Sequence, residues 1–176
     1  YRGEYIRAGS PRNDVLVRGE PGQALAVRRA LDVPEGTRLL LYAPTYRENT
    51  AVVPKRAQMD LMRTLDCLEK KTGDRWLCLF RAHYLCAGID LASVQDQLVD
   101  VTAYQDMAEL LLAADMVLTD YSSCMWDFSL MHKPCFLRIQ QTRGYAVTMT
   151  SPAVESFMLA AKSASMDNRP KSVRDC

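Results

Sequence analysis

The sequence predicts an α/β domain, a parallel sheet with helices on both faces, and three observations carry that expectation. Short apolar runs of strand length stand at about 38–43, 76–80, 98–101, 116–119 and 135–139, alternating with helical stretches, which is the pattern of parallel strands joined by crossovers. A polar cluster follows several of these runs, at Pro44–Arg47, Arg81–His83 and Thr119–Ser123. Right-handed crossovers gather the C-terminal ends of parallel strands on one edge, so these clusters are expected to share it. Ligands of open α/β sheets bind along that edge.

Composition sets the bounds. At 176 residues the chain fits one domain with a sizeable core. It is 48% hydrophobic and 24% charged, as ordinary globular proteins are. A net charge of +1 argues against an overall nucleic-acid footprint, so no nucleic-acid partner is expected. No apolar run approaches the ~18 residues of a membrane span. No secretory signal stands at the start, and Tyr1-Arg-Gly-Glu-Tyr5 reads as though cut from a longer chain. The six cysteines, Cys67, Cys78, Cys86, Cys124, Cys135 and Cys176, form no C-x-x-C pair, so no structural zinc site is expected. Free cysteines in apolar segments behave as small hydrophobes, and a reducing cytoplasm is the simplest account.

Residues 1–23 are rich in Gly and Pro and read as turns and connections. Gln23–Leu31 is the first helix candidate, closed by Asp32-Val-Pro34. Arg38-Leu-Leu-Leu-Tyr-Ala43 is a buried strand stopped by Pro44. Arg47 beyond it either pairs with a phosphate in bidentate fashion or is a solvated loop cation. Gln58–Lys71 is the clearest amphipathic helix, with Leu61, Leu65 and Leu68 on one face and Gly73 as its stop.

Trp76–Phe80 delivers Arg81 and His83 at its end. His83 either binds a diphosphate or relays a proton, or it is a structural histidine. Leu98–Val101 is a short strand. Asp106 with Glu109 three positions on makes a capping-box pattern before the apolar Leu110–Leu112.

The stretch Met116–Leu137, MVLTDYSSCMWDFSLMHKPCFL, organises the rest. It reads as strand, polar turn, helix and second strand. A turn from a strand end into a helix start leaves backbone N–H groups free, with the positive end of the helix dipole behind them. Ser122 and Ser123 add hydroxyls and can also cap the helix; the plain alternative is a cap with no ligand. Asp127 shares a helix face with Ser123 and either contacts substrate hydroxyls or is a surface acid. Asp120 lacks a D-x-D partner, so no metal role is expected for it; no cofactor is expected either. Met125, Trp126, Phe128 and Met131 read as packing, and His132 as a cap compensating the helix dipole.

T-D-Y-S-S at Thr119–Ser123, followed by the Trp126-Asp-Phe128 step and Lys133-Pro134 before a strand, resembles the CDP-glycerol glycerophosphotransferase family of teichoic-acid polymerases and primases. G-S-P-R-N-D at Gly9–Asp14, L-Y-A-P-T-Y-R at Leu41–Arg47 and R-A-H at Arg81–His83 stand in the expected order. The resemblance covers roughly 9–137. It implies a Rossmann-like C-terminal half of a glycosyltransferase-B architecture, with 1–23 as an interdomain linker or N-terminal extension and 24–160 as a CDP-alditol donor domain; beyond it, the polar and charged composition of 161–176 reads as a disordered tail.

It further implies transfer of glycerol phosphate from CDP-glycerol, or a related CDP-alditol, to a lipid-linked polyol-phosphate or glycan acceptor, with release of CMP. Arg81 and His83 would be catalytic. Pro44, Thr45, Arg47, Thr119, Asp120, Ser122, Ser123 and Asp127 would bind substrate. The expected setting is cytoplasmic, peripheral on the inner face of the membrane.

Three departures from the family pattern stand out. Tyr84 replaces a proline, the segment after Leu137 lacks its acidic residue, and the W-H-G-T-type motif that carries the general base is absent from the chain. A missing N-terminal domain of the same protein is therefore an expected partner, and the fragment is expected to be inactive alone. Two other functions remain open: a non-catalytic nucleotide-binding or interaction module, and a nucleotide-sugar glycosyltransferase donor domain.

Overall fold

The computed structural model describes residues 10–19, 21–45, 55–82, 96–120 and 122–137. Five strands form one sheet: β1 (Arg38–Ala43), β2 (Trp76–Phe80), β3 (Leu98–Asp100), β4 (Met116–Thr119) and β5 (Cys135–Leu137). Their order is β3-β2-β1-β4-β5, and every neighbouring pair is parallel. The expected strands are all present; the third ends one residue earlier than expected, and the last two positions expected of the fifth lie outside the described residues. The chain runs outward from β1 to β3, then restarts beside β1 at β4. The β1–β4 boundary is thus the topological switch point.

Alternation along β1 divides the core in two, because successive side chains point to opposite faces. Leu39, Leu41 and Ala43 join one cluster with Val27, Leu110, Leu111, Val117 and Phe128. Leu40 and Tyr42 join another with Leu61, Leu65, Trp76 and Phe80. The first face carries α2 (Pro21–Ala30), α4 (Met107–Ala113) and α5 (Cys124–Ser129), and the second carries α3 (Lys55–Thr72). Helices therefore cover both faces. Among the described residues no helix is long and apolar enough to cross a membrane.

Several local expectations are met. Gly73 closes α3 in the left-handed region at φ 74°, its N–H bonding to Glu69 O. Asp106 caps α4, accepting the Ala108 N–H at 2.8 Å. The reciprocal half of the capping box is not formed, because Glu109 instead accepts the Tyr104 hydroxyl at 2.7 Å. His132, expected to compensate the helix dipole, lies beyond the Leu130 C-cap of α5, in the left-handed region at φ 55°.

The leading segment departs from the reading as turns and connections. Pro11–Asn13 is a single 3-10 turn and α1 covers Asp14–Arg18, closed by Gly19 at φ 61°. Leu16 is buried in the first cluster. Counting Gly and Pro concealed the apolar Val15-Leu16-Val17 triplet between them. α2 likewise starts at Pro21, two residues earlier than expected, since proline suits the first helical position.

The C-terminus of α4 is held by two cations that sequence inspection did not single out for this role. Arg28 donates to Ala113 O at 3.1 and 2.8 Å, to Thr37 O at 2.9 Å and to Asp115 at 2.6 Å. Lys133 donates to Leu112 O at 3.0 Å and Ala114 O at 2.7 Å. Helix ends leave carbonyls unsatisfied and carry partial negative charge, so cations there serve both needs. Burial lowers the Lys133 pKa, with Asp115 opposing and Arg28 adding to the shift.

Cys78, Cys124 and Cys135 are free and buried. Burial pushes the Cys135 thiol up to about 12, so these behave as the expected small hydrophobes. Cys67 is disulfide-bonded, and the expectation of an entirely reduced set fails there. Spacing gives no sign of such a bond, because pairing depends on which Cα atoms the fold brings close.

Candidate functional site

The strand register aligns the ends that carry the polar residues. Ala43 of β1 pairs with Thr119 of β4, Tyr42 pairs with Phe80 of β2, and Phe80 with Asp100 of β3. Pro44, Thr45, Arg81 and Asp120 therefore leave the sheet within a residue or two of one level, on its C-terminal edge. Arg81 and Asp120 are separated by two strand spacings, about 10 Å.

At the switch point the two central strand ends are fastened together. Thr119 Oγ1, fully buried, donates to Ala43 O at 2.6 Å. Asp120, 7% exposed, accepts the Thr45 N–H at 2.8 Å. These two residues, expected to bind substrate, have polar atoms engaged inside the protein. They shape the crevice floor and hold Thr45 in place.

Arg81 stands differently. Its N–H donates to Tyr42 O at 3.0 Å, and the following Ala82 N–H donates to Thr102 Oγ1 at 3.0 Å. The two residues that follow β2 are thus tied to β1 on one side and to the segment after β3 on the other. The guanidinium is half-buried, and its Nη1 is buried with no hydrogen-bond partner among the described residues. Burial lowers the Arg81 pKa, while interactions with Asp106 and with Cys124, the first residue of α5, raise it. The charge is thus within electrostatic range of Asp106, the N-cap of α4, and of the start of α5. A buried unpaired guanidinium nitrogen is unfavourable, and an anion satisfies it.

Across the crevice, α5 begins after Ser122 and Ser123. Ser123 occupies the N-cap position in helical conformation, and its side chain makes no capping bond. Ser122 Oγ accepts the Cys124 N–H only at 3.4 Å. The expected side-chain cap is therefore weak: among the described residues Ser123 makes no capping bond, and Ser122 reaches only Cys124, through its N–H at 3.4 Å and its thiol. Both residues stand beside the switch point. Asp127, in the same short helix, is held by Arg12 and Asn13.

Arg47 and His83 lie outside the described residues, as do Tyr84, the segment from 138 onward and the expected tail at 161–176. A shallow depression of about 520 Å³, lined by Glu69, Gly73, Asp74, Arg75, Asp96 and Gln97, opens at the other end of the sheet. Its lining residues precede β2 and β3, on the edge where the expected clusters do not lie.

A five-stranded parallel sheet with this order and helices on both faces defines a Rossmann-like α/β domain, a fold whose ligands bind at the C-terminal edge beside the switch point. The particular family follows from comparison with known proteins. The chain belongs to the CDP-glycerol:poly(glycerophosphate) glycerophosphotransferase family, whose model matches residues 1–150.

It is 37% identical over 134 residues to a teichoic acid poly(glycerol phosphate) polymerase of Staphylococcus epidermidis, covering 74% of this chain and 19% of that protein. It is 31% identical over 142 residues to the polymerase of that description from Bacillus subtilis strain 168, covering 80% of this chain and 19% of the other. A solved structure of the wall teichoic acid polymerase TagF superposes with a TM-score of 0.62 at 36% identity, over 75% of this chain and 32% of that one. A variant of that polymerase soaked with CDPG gives 0.62 at 35% identity, over 75% and 32%. The chain thus spans about a fifth of these polymerases and about a third of the solved chains.

Proposed function

We propose that this chain is the donor-binding domain of a transferase that moves glycerol phosphate from CDP-glycerol to a lipid-linked teichoic-acid-type acceptor, releasing CMP. The observation that carries this reading is Arg81 Nη1, buried beside the switch point without a partner among the described residues. Family membership and the CDPG soak of TagF support the choice of donor.

An acceptor hydroxyl attacks the β-phosphorus of the donor. A new P–O bond forms, the bond to the CMP oxygen breaks, and the hydroxyl proton passes to a general base. Negative charge accumulates on the phosphoryl oxygens and on CMP, so the protein's task is positioning and charge stabilisation. Arg81, with Arg47 and His83, stabilises the leaving phosphate. Ser122 and Ser123 hold the diphosphate, and backbone groups around Pro44 and Thr45 hold the cytidine.

The general base and most acceptor recognition belong to the part of the relatives that this chain does not span. The leading segment joins the two parts, and the complete protein works peripherally at the cytoplasmic face of the membrane. Transfer by this chain alone is expected to be absent.

Calorimetric titration with CDP-glycerol, CMP and UDP, with and without magnesium, tests the reading. Cytidine-selective, magnesium-independent binding that is lost in Ser122→Ala/Ser123→Ala and in Arg81→Met is the expected result. No binding by the folded chain would overturn it, and preference for UDP would reassign the domain to a sugar transferase.

A further inference from the structure

A three-residue contact ties the leading segment to the helix that borders the crevice. Arg12 Nη2 donates to Asp127 Oδ1 at 3.3 Å and Oδ2 at 3.1 Å. Asn13 Nδ2 donates to Asp127 Oδ1 at 2.8 Å. The partners are 114 and 115 residues apart in sequence. An isolated exposed ion pair contributes little, and Arg12 is 66% exposed. Asp127, however, is only 16% exposed, Asn13 is half-buried, and three donor–acceptor contacts converge on one carboxylate.

The helix they hold needs holding. α5 has six residues and no side-chain cap at Ser123; so short a helix has little stability of its own. Cys124 and Phe128 bury one side of it in the core. That fixes its depth against the sheet. A second anchor off the buried stripe fixes its rotation, and Asp127 supplies it. Since Asp127 stands four residues after Ser123, on the same face, rotation of α5 moves Ser122 and Ser123 relative to Arg81.

We infer that Arg12, Asn13 and Asp127 form a positioning clasp that orients the start of α5 toward the donor's phosphates. In this assignment Asp127 acts through the helix rather than by touching the glycerol hydroxyls. The inference rests on the donor-site reading given above.

The test measures CMP and CDP-glycerol affinity by calorimetry on the 176-residue chain, with circular dichroism and a thermal melt for each variant. Arg12→Ala/Asn13→Ala and the near-isosteric Asp127→Asn should each weaken both ligands in parallel, by about 10-fold, with secondary structure retained. Arg12→Asp alone should weaken them similarly, and Arg12→Asp/Asp127→Arg should recover most of the loss.

Unchanged affinity in the alanine pair and in Asp127→Asn would overturn the clasp. So would a loss in Asp127→Asn confined to CDP-glycerol, because that pattern marks a direct contact with the glycerol. Wild-type chain that binds neither ligand would instead overturn the donor-site reading, and the clasp's role with it. Should the alanine pair fail to fold, Asp127→Asn and the charge swap decide the matter.

Discussion

The carboxylate of Asp120 accepts the backbone N–H of Thr45 at 2.8 Å, so the loops leaving β4 and β1 are joined where the strand order reverses. A carboxylate bonded to a backbone N–H is a charge-assisted contact, stronger than its neutral counterpart. With Thr119 Oγ1 donating to Ala43 O beside it, the crevice floor is set before any ligand arrives. The site's geometry therefore depends on residues that need not touch the donor.

Asp120→Ala should leave the Thr45 N–H unpaired and reduce stability by about 1–3 kcal/mol, measured by denaturant unfolding. Asp120→Asn, which retains an acceptor oxygen, should lose less. Equal losses in the two variants would mean that the Thr45 bond does not account for the effect.

Arg81→Met should separate stability from binding. Removing a buried nitrogen that lacks a partner among the described residues relieves an unfavourable burial, so unfolding free energy should stay level or rise by about 1 kcal/mol. CDP-glycerol affinity should fall by at least about 10-fold in the same protein. A large loss of stability would show that Arg81 is chiefly structural.

Lys133→Met should free the carbonyls of Leu112 and Ala114, which now accept at 3.0 and 2.7 Å. A loss of about 1–3 kcal/mol is expected, with exchange of the α4 amides accelerated. Because burial already disfavours the charged amine, the net loss should lie toward the lower end. Unchanged stability and unchanged amide exchange would show that the α4 terminus does not depend on the ammonium.

Tyr104 should titrate late. Its hydroxyl bond to Glu109, together with burial and the charges of Glu109 and Asp106, pushes its pKa to about 12 from the ordinary 10.0. With the folded value above the unfolded one, its contribution to stability is complete below pH 10 and lost as the pH rises toward 12. Ultraviolet titration should show a tyrosine ionising near 12 that disappears in Tyr104→Phe. A Tyr104 that ionises with the ordinary tyrosines would refute the hydrogen bond.

Much of this arrangement was legible in the chain. The apolar runs at Arg38–Ala43 and Trp76–Phe80 coincide with β1 and β2, because a strand buried on both faces leaves an unbroken apolar signature. Gly73 and Asp106 were readable as helix ends for an equally local reason, since stop and cap chemistry acts within a few residues. The leading helix α1 was not legible: its five residues are too few to show a period, and Gly and Pro surround it.

The sequence by itself determined the strand positions, the shared C-terminal edge and the presence there of Arg81, Ser122 and Ser123. These follow from hydrophobic periodicity and from the handedness of crossovers, both set by the local backbone and its chirality. Only the tertiary structure decided how each polar group is used: that Thr119 and Asp120 bind their neighbours' backbone, that Asp127 is taken by Arg12 and Asn13, and that Arg28 and Lys133 close α4. Those partners lie 19 to 115 residues apart, and no local pattern records them. A hydroxyl or carboxylate finds its partner only when packing brings distant segments within hydrogen-bond reach.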